Sequence, residues 1–153
     1  MESDTLNYSS DKIEVIYYFD KDLGLCPVKK YLKQYTFKPK DKHKQRDRKI
    51  KILADIHARI KYIRDNKGIA VPPIAKPLHG YSFSEIKKAK DKNTVIRILW
   101  FYDEGKIVLL DAFEKPSHYT KNREKREVEK NYKRANKYYN KFKLNPKSYE
   151  EYK

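Results

Sequence analysis

An α+β fold is what this sequence predicts, on three observations. Lys12 to Phe19 alternates at a period of two, His43 to Asn66 repeats apolar residues at intervals of three and four, and Thr94 to Phe113 holds two strand patterns around Asp103-Glu104-Gly105. The expected order is an N-terminal strand, two helices, an antiparallel group of three strands and a C-terminal helix. At 153 residues the chain is about one domain long and can bury roughly two thirds of its unfolded surface. Residues 1–153 read as a single domain, with 1–11 and 144–153 as flexible ends.

The elements follow in chain order. In the first strand Ile13, Val15, Tyr17 and Phe19 take one face, and Lys12, Glu14, Ile16 and Tyr18 the other. Asp20 to Gly24 ends it. Pro27 suits a first helical turn, and Val28, Tyr31, Leu32 and Tyr35 continue at helical spacing to Gln34 or Tyr35. From His43 to Asn66 the stripe Ile50, Leu53, Ile56, Ile60 and Ile63 marks a long amphipathic helix that Gly68 stops. Ala70 to Tyr81 carries Pro72, Pro73, Pro77 and Gly80, so a connecting loop is expected. Phe83–Lys88, Thr94–Tyr102 and Lys106–Phe113 read as strands, the last two joined by a tight hairpin in which Gly105 supplies positive φ. Val128, Tyr132, Ala135, Tyr138 or Tyr139, and Phe142 give a final helix from about Arg123, ended by Asn145-Pro146.

Composition narrows the partner. Lys and Arg total 37 against 21 Asp and Glu, a formal charge of +16 spread along the chain, which favours a polyanion without sequence specificity. The longest apolar run, Ile107 to Leu110, is far short of the ~20 residues that span a bilayer, and residues 1–11 lack a signal pattern. A soluble cytoplasmic protein is expected. Cys26 is the single cysteine, which excludes an intramolecular disulfide and a Cys-rich zinc site and reads as a small apolar filler. His43, His57, His79 and His118 form no paired-ligand spacing, so no metal or other cofactor is expected, and His57 reads as a packed or surface residue.

Chemistry centres on Arg97. Its strand is apolar on both faces, and a guanidinium there must pair with a carboxylate or open into a cleft, because unpartnered burial costs several kcal/mol. Spacing leaves two readings open: a structural salt bridge to Glu85 on the adjoining strand, or an anion site. Glu85 and Lys87 share a strand face and Lys115 lies at the exit of the last strand, so one carboxylate and three cations can meet on one sheet surface. RNA cleavage by a ribose 2′-hydroxyl needs a base, stabilisation of the pentacoordinate phosphate and a proton for the leaving oxygen. Cations supply the second, and Lys or Tyr can act as base or acid when burial or positive neighbours shift them. His118 starts near neutrality and is a candidate acid or an exposed loop residue. Lys38 to Lys51 holds eight Lys or Arg and two Asp, either a solvated helix face or an RNA contact. Lys49, Lys51, Arg123 and Arg126 are the candidate RNA-binding cations. Tyr119 is the loop tyrosine best placed to stack on a base.

Pro77-Leu78-His79-Gly80, Glu85-Ile86-Lys87, Ile96-Arg97, Trp100-Phe101-Tyr102 and Phe113-Glu114-Lys115-Pro116 occur in this order. The last half of the chain thereby resembles the RelE/HigB toxins of toxin–antitoxin systems, within the RelE/ParE superfamily and its phage Gp49-like members. That family's pattern is a Pro-Leu-x-Gly loop, a Glu-Leu-Arg strand, a strand from Tyr-Arg to aromatics, a hairpin, and Phe-x-Lys-Lys before a basic helix. The resemblance implies a small RelE-like fold and a ribosome-dependent mRNA endoribonuclease that needs no cofactor. Arg97, Lys87 and Lys115 would hold the scissile phosphate, with His118, Tyr119 or Arg123 completing the site. It also implies a cognate helix-turn-helix antitoxin, with DNA bound only through that complex. Pro116 departs from the pattern by replacing the second Lys, and the basic stretch from Lys38 is longer than the usual connection. Two other readings stay open: a ParE-like gyrase poison, and a non-catalytic basic nucleic-acid-binding protein.

Overall fold

A computed structural model describes residues 12–117 and 122–152. A six-stranded sheet runs through them in the order β2-β3-β4-β5-β1-β6. Its strands are β1 (Glu14–Tyr18), β2 (Ala75–Pro77), β3 (Ser84–Ala89), β4 (Thr94–Asp103), β5 (Lys106–Pro116) and β6 (Tyr149–Glu151). β2 to β5 form an antiparallel meander, β1 joins β5 in parallel, and β6 joins β1 antiparallel. The helices are α1 (Pro27–Leu32), continued by a 3-10 turn at Lys33–Tyr35, α2 (His43–Asp65) and α3 (Asn122–Leu144). This is the α+β class expected.

The strand alternation supplies two cores. On one face Tyr17, Ile86, Ile96, Ile98, Trp100, Ile107 and Leu109 pack against Val28 and Leu32 of α1 and Ile52, Ile56, Ile60 and Ile63 of α2. On the other, Ile16, Tyr18, Leu99, Phe101, Val108 and Leu110 pack against Val128, Ala135, Tyr138 and Phe142 of α3. The α2 stripe differs from expectation at its start: Ile52 is buried while Ile50 points outward. At about 100° per residue Ile52 lies roughly 40° from Ile56, whereas Ile50 lies roughly 120° away. Gly68 ends the helix as expected. Its φ is +77°, its N–H reaches the Ile63 carbonyl at 2.9 Å, and an added Cβ would stand 2.5 Å from the Tyr102 ring.

The hairpin is a two-residue loop in which Glu104 (φ 45°) and Gly105 (φ 84°) are both left-handed, the turn that suits the twist of its strands. A bulge between Leu99 and Trp100 leaves Leu110 as the extra residue of β5 and turns Asp111 toward α3, where it accepts from Arg134 Nε at 2.7 Å.

Two expectations fail here. The segment Ala70 to Tyr81 is not wholly loop, because Ala75–Pro77 pairs with β3. An edge strand tolerates Pro77, whose missing N–H faces no further strand. Nor are residues 144–153 a frayed end: Tyr149–Glu151 pairs with β1, and Tyr152 lies 5.3 Å, centroid to centroid, from the rings of both Tyr17 and His57. The free edge of β1 gives this tail backbone partners. Residues 1–11 lie outside the described part. Cys26 is buried at the N-cap of α1, and burial together with Glu150 pushes its thiol up to about 11, in keeping with a packing role. Among the described residues no helix is long and apolar enough to cross a membrane.

Candidate active site

The α3 face of the sheet changes character toward one end. Pairing of β3 with β4 sets Lys87 opposite Arg97 and Glu85 opposite Leu99, while β5 brings Lys115 opposite Val95. The period of two puts Glu85, Lys87, Arg97 and Lys115 on the face that α3 covers. The edge strand adds a further cation, since Lys76 lies opposite Glu85. Glu85 is completely buried, and Arg97 and Lys115 are only 8% and 7% exposed.

One carboxylate organises the cluster. Glu85 Oε1 accepts from Arg97 at 2.5 Å and lies 3.9 Å from Lys76 Nζ, and its Oε2 accepts from the Tyr132 hydroxyl at 3.1 Å. Tyr132, carried by α3, accepts in turn from Lys115 Nζ at 3.0 Å. The salt bridge that spacing allowed for Arg97 therefore forms, and it forms within an excess of positive charge. Arg97 Nε is buried without a partner among the described residues. Facing cations across a strand pair destabilise a sheet, so the Lys87–Arg97 juxtaposition is a poor choice for stability alone.

Electrostatics follow from that crowding. Burial pulls the Lys115 amine down to about 8; Glu85 opposes this, and Arg97, Lys76 and Lys87 reinforce it. Lys87 is lowered as well, first by burial and then by Lys76 and Arg97. The site thus holds a guanidinium pinned in one orientation and an amine able to exchange a proton near neutral pH. Beside it, Tyr81 stacks on Phe83 at 5.1 Å, lies 5.8 Å from Tyr132 and donates to Glu129 of α3.

Residues 44–133 match the family described as Phage derived protein Gp49-like (DUF891). This span is more than half of the 153 residues and contains every side chain of the cluster. The chain belongs to the Gp49-like family. The Gp49-like proteins lie within the RelE/ParE-like toxin superfamily and are toxins associated with toxin–antitoxin systems, so an antitoxin partner is implied. No curated protein and no solved structure matches the chain.

Of the residues expected to form the site, the structure gathers Glu85, Lys87, Arg97 and Lys115 and sets Lys49 and Lys51 apart from them. Lys49 is on α2, beyond the opposite sheet face, and pairs with Asp41 at 2.8 Å, while Lys51 is exposed on the same helix. Arg123 and Arg126 are exposed on the first turns of α3. His118 and Tyr119 lie outside the described residues. Sequence reasoning missed two members. Lys76 sits in a segment read as loop, where Pro77 hides the strand. Tyr132 was assigned to packing by its helical spacing, which it does satisfy, and no local pattern signals its hydroxyl bonds.

Proposed function

We propose that this chain is the toxin of a type II toxin–antitoxin system, a ribosome-dependent endoribonuclease that cuts mRNA by attack of the 2′-hydroxyl without a metal. The observation that carries this reading is one buried carboxylate amid four cations, one of them a lysine held near 8. Arg97 and Lys87 contact the scissile phosphate and stabilise the charge that builds on its oxygens. Neutral Lys115 takes the proton of the 2′-hydroxyl as that oxygen attacks phosphorus. The bond from phosphorus to the 5′-oxygen breaks, leaving a 2′,3′-cyclic phosphate and a 5′-hydroxyl. His118 is the candidate donor of the proton taken by the leaving oxygen. Glu85 is a positioning residue that aims Arg97, and substrate entry displaces the Tyr132 ring from above Lys115. The partner class is a helix-turn-helix antitoxin, through which any DNA contact is made.

The test is expression of the wild type and of Arg97→Met from a tight promoter, with the 5′ ends of cellular mRNA mapped shortly after induction. Because Arg97→Met strands a buried carboxylate, the pair Glu85→Gln with Arg97→Met is expressed alongside as a folded control. Growth arrest with new in-frame cuts only in the wild type is the expected result. Arrest without cuts would reassign the chain to gyrase poisoning, and cuts that persist in both variants would remove Arg97 from the chemistry.

A further inference from the structure

The basic first turns of α2 border a recess. A cavity of about 250 Å³ opens between the 3-10 turn, the first half of α2 and the β3–β4 hairpin, lined by Gln34, Tyr35, Gln45, Arg48, Ile52 and Lys90 among others. Its floor is apolar and built in, since Tyr35 and Ile52 belong to the core. Tyr35 is held by its hydroxyl, which pairs with Tyr31 at 3.0 Å and with Glu114 at 3.4 Å, while Lys90 Nζ stands 6.0 Å from the ring centroid. Exposed amide side chains, Gln34 and Gln45, stand at the wall.

The charged groups around the recess differ in how firmly they are paired. Asp41 is committed to Lys49 and to the Lys38 N–H, and Glu114 to Tyr31, Tyr35 and Lys90. Arg48 is different: its side chain is 57% exposed and its contact with Asp91 is a long 3.7 Å. Beyond the rim the basic run from Lys38 continues to Arg46, whose guanidinium lies 4.6 Å over the exposed ring of Phe37. An apolar, aromatic floor, amides at the wall and a cationic rim are the ingredients of single-stranded nucleic-acid binding.

Position relates this recess to the proposed cleavage site. Glu114 lies behind the recess, bonded to its lining residues Tyr35 and Lys90, and Lys115 faces the cationic cluster, so consecutive residues of β5 point to opposite sides of one sheet end. We infer that the recess seats one nucleotide of single-stranded RNA flanking the scissile phosphate, its base against Tyr35 and Ile52 and its phosphate on Arg48. The strand then turns around the sheet end between the two sites. This rests on the endoribonuclease reading and extends it to a substrate subsite.

The experiment is fluorescence anisotropy with a short 5′-labelled 2′-O-methyl RNA, which cannot be cut by 2′-attack, titrated at several salt concentrations. Arg48→Glu removes the rim cation, Gln45→Trp fills the recess, and Lys61→Glu makes the same charge change on an exposed position of α2 about 20 Å away. Urea midpoints confirm that each variant is folded. Arg48→Glu and Gln45→Trp should each weaken binding at least fivefold and Lys61→Glu less than twofold. The log–log salt slope should fall by about 0.7 in Arg48→Glu, as for one single-strand phosphate contact. Equal losses in the two charge reversals, or wild-type binding by Gln45→Trp, would overturn the recess. If mRNA cuts depend on Arg97 while recess variants bind normally, only this inference falls. If recess variants lose binding but no cuts occur in cells, the subsite stands and the nuclease reading falls.

Discussion

The two ends of the sheet face beneath α3 share β4 and β5 and face the same helix, yet they solve different problems. Under the C-terminal half of α3, Leu99, Phe101, Val108 and Leu110 meet Tyr138 and Phe142 in an apolar core. Under the N-terminal half, β3, β4 and β5 offer Glu85, Lys87, Arg97 and Lys115, bridged to the helix by Tyr132. The first end gains stability from removing carbon from water. The second bears the cost of desolvating charge and places like charges together. One helix thus rests on an apolar foundation at one end and on a charged cluster at the other.

Paired substitutions break this comparison most sharply. Phe142→Ala should lose about 3–5 kcal/mol of stability in urea denaturation, with no second-site change at its neighbours that restores it fully. Arg97→Met should lose a similar amount, because it strands Glu85, but adding Glu85→Gln should recover most of it. If the second pair fails to recover, the charged end is itself a stability element and the contrast collapses.

Proton exchange is next in size. In the proposed reaction Lys115 is the base in its neutral form, and its pKa is lowered to about 8. The logarithm of the single-turnover cleavage rate should therefore rise by one per pH unit below about 8 and level off above it. Lys115→Met should cut the rate about 100-fold and abolish that rise. A rate that instead falls above pH 8 would make Lys115 the acid.

The smallest effect sharpens the junction between the two ends. Tyr132→Phe keeps the ring but removes its hydroxyl bonds to Glu85 and Lys115, and should cost about 1 kcal/mol. The hydroxyl stabilises the charged ammonium in the substrate-free protein, so its loss should move the midpoint of the pH profile of kcat/KM below that of the wild type. An unmoved midpoint would show that the Tyr132 hydroxyl has no hold on Lys115.

Much of the architecture was legible because it rests on local period. Alternation in β1, β4 and β5, the α2 and α3 stripes and the Glu104-Gly105 turn each read from a short window. The alternation also placed Arg97 on one face with Val95, Leu99 and Phe101 in a strand apolar on both faces, which made it the residue to explain. Lys76 and the tail strand were illegible, because an edge strand of three residues carries no pattern of its own and forms only where a neighbouring strand leaves N–H and C=O groups open. The α2 stripe was misread at Ile50 because a spacing of three to Leu53 looks helical, while the six residues to Ile56 carry it off the buried face.

Residue order alone settles the helices and the longer strands, the excess of positive charge, and the presence of a guanidinium in an apolar strand, since each depends on neighbours within a turn or two. Which cations meet around Glu85, that Lys115 is pulled toward neutrality, and that the run from Lys38 borders a cavity were decided by the assembled sheet and its helices. Those properties depend on burial and on distances between residues far apart in the chain, and both come into being only when the strands pair and α3 closes over them.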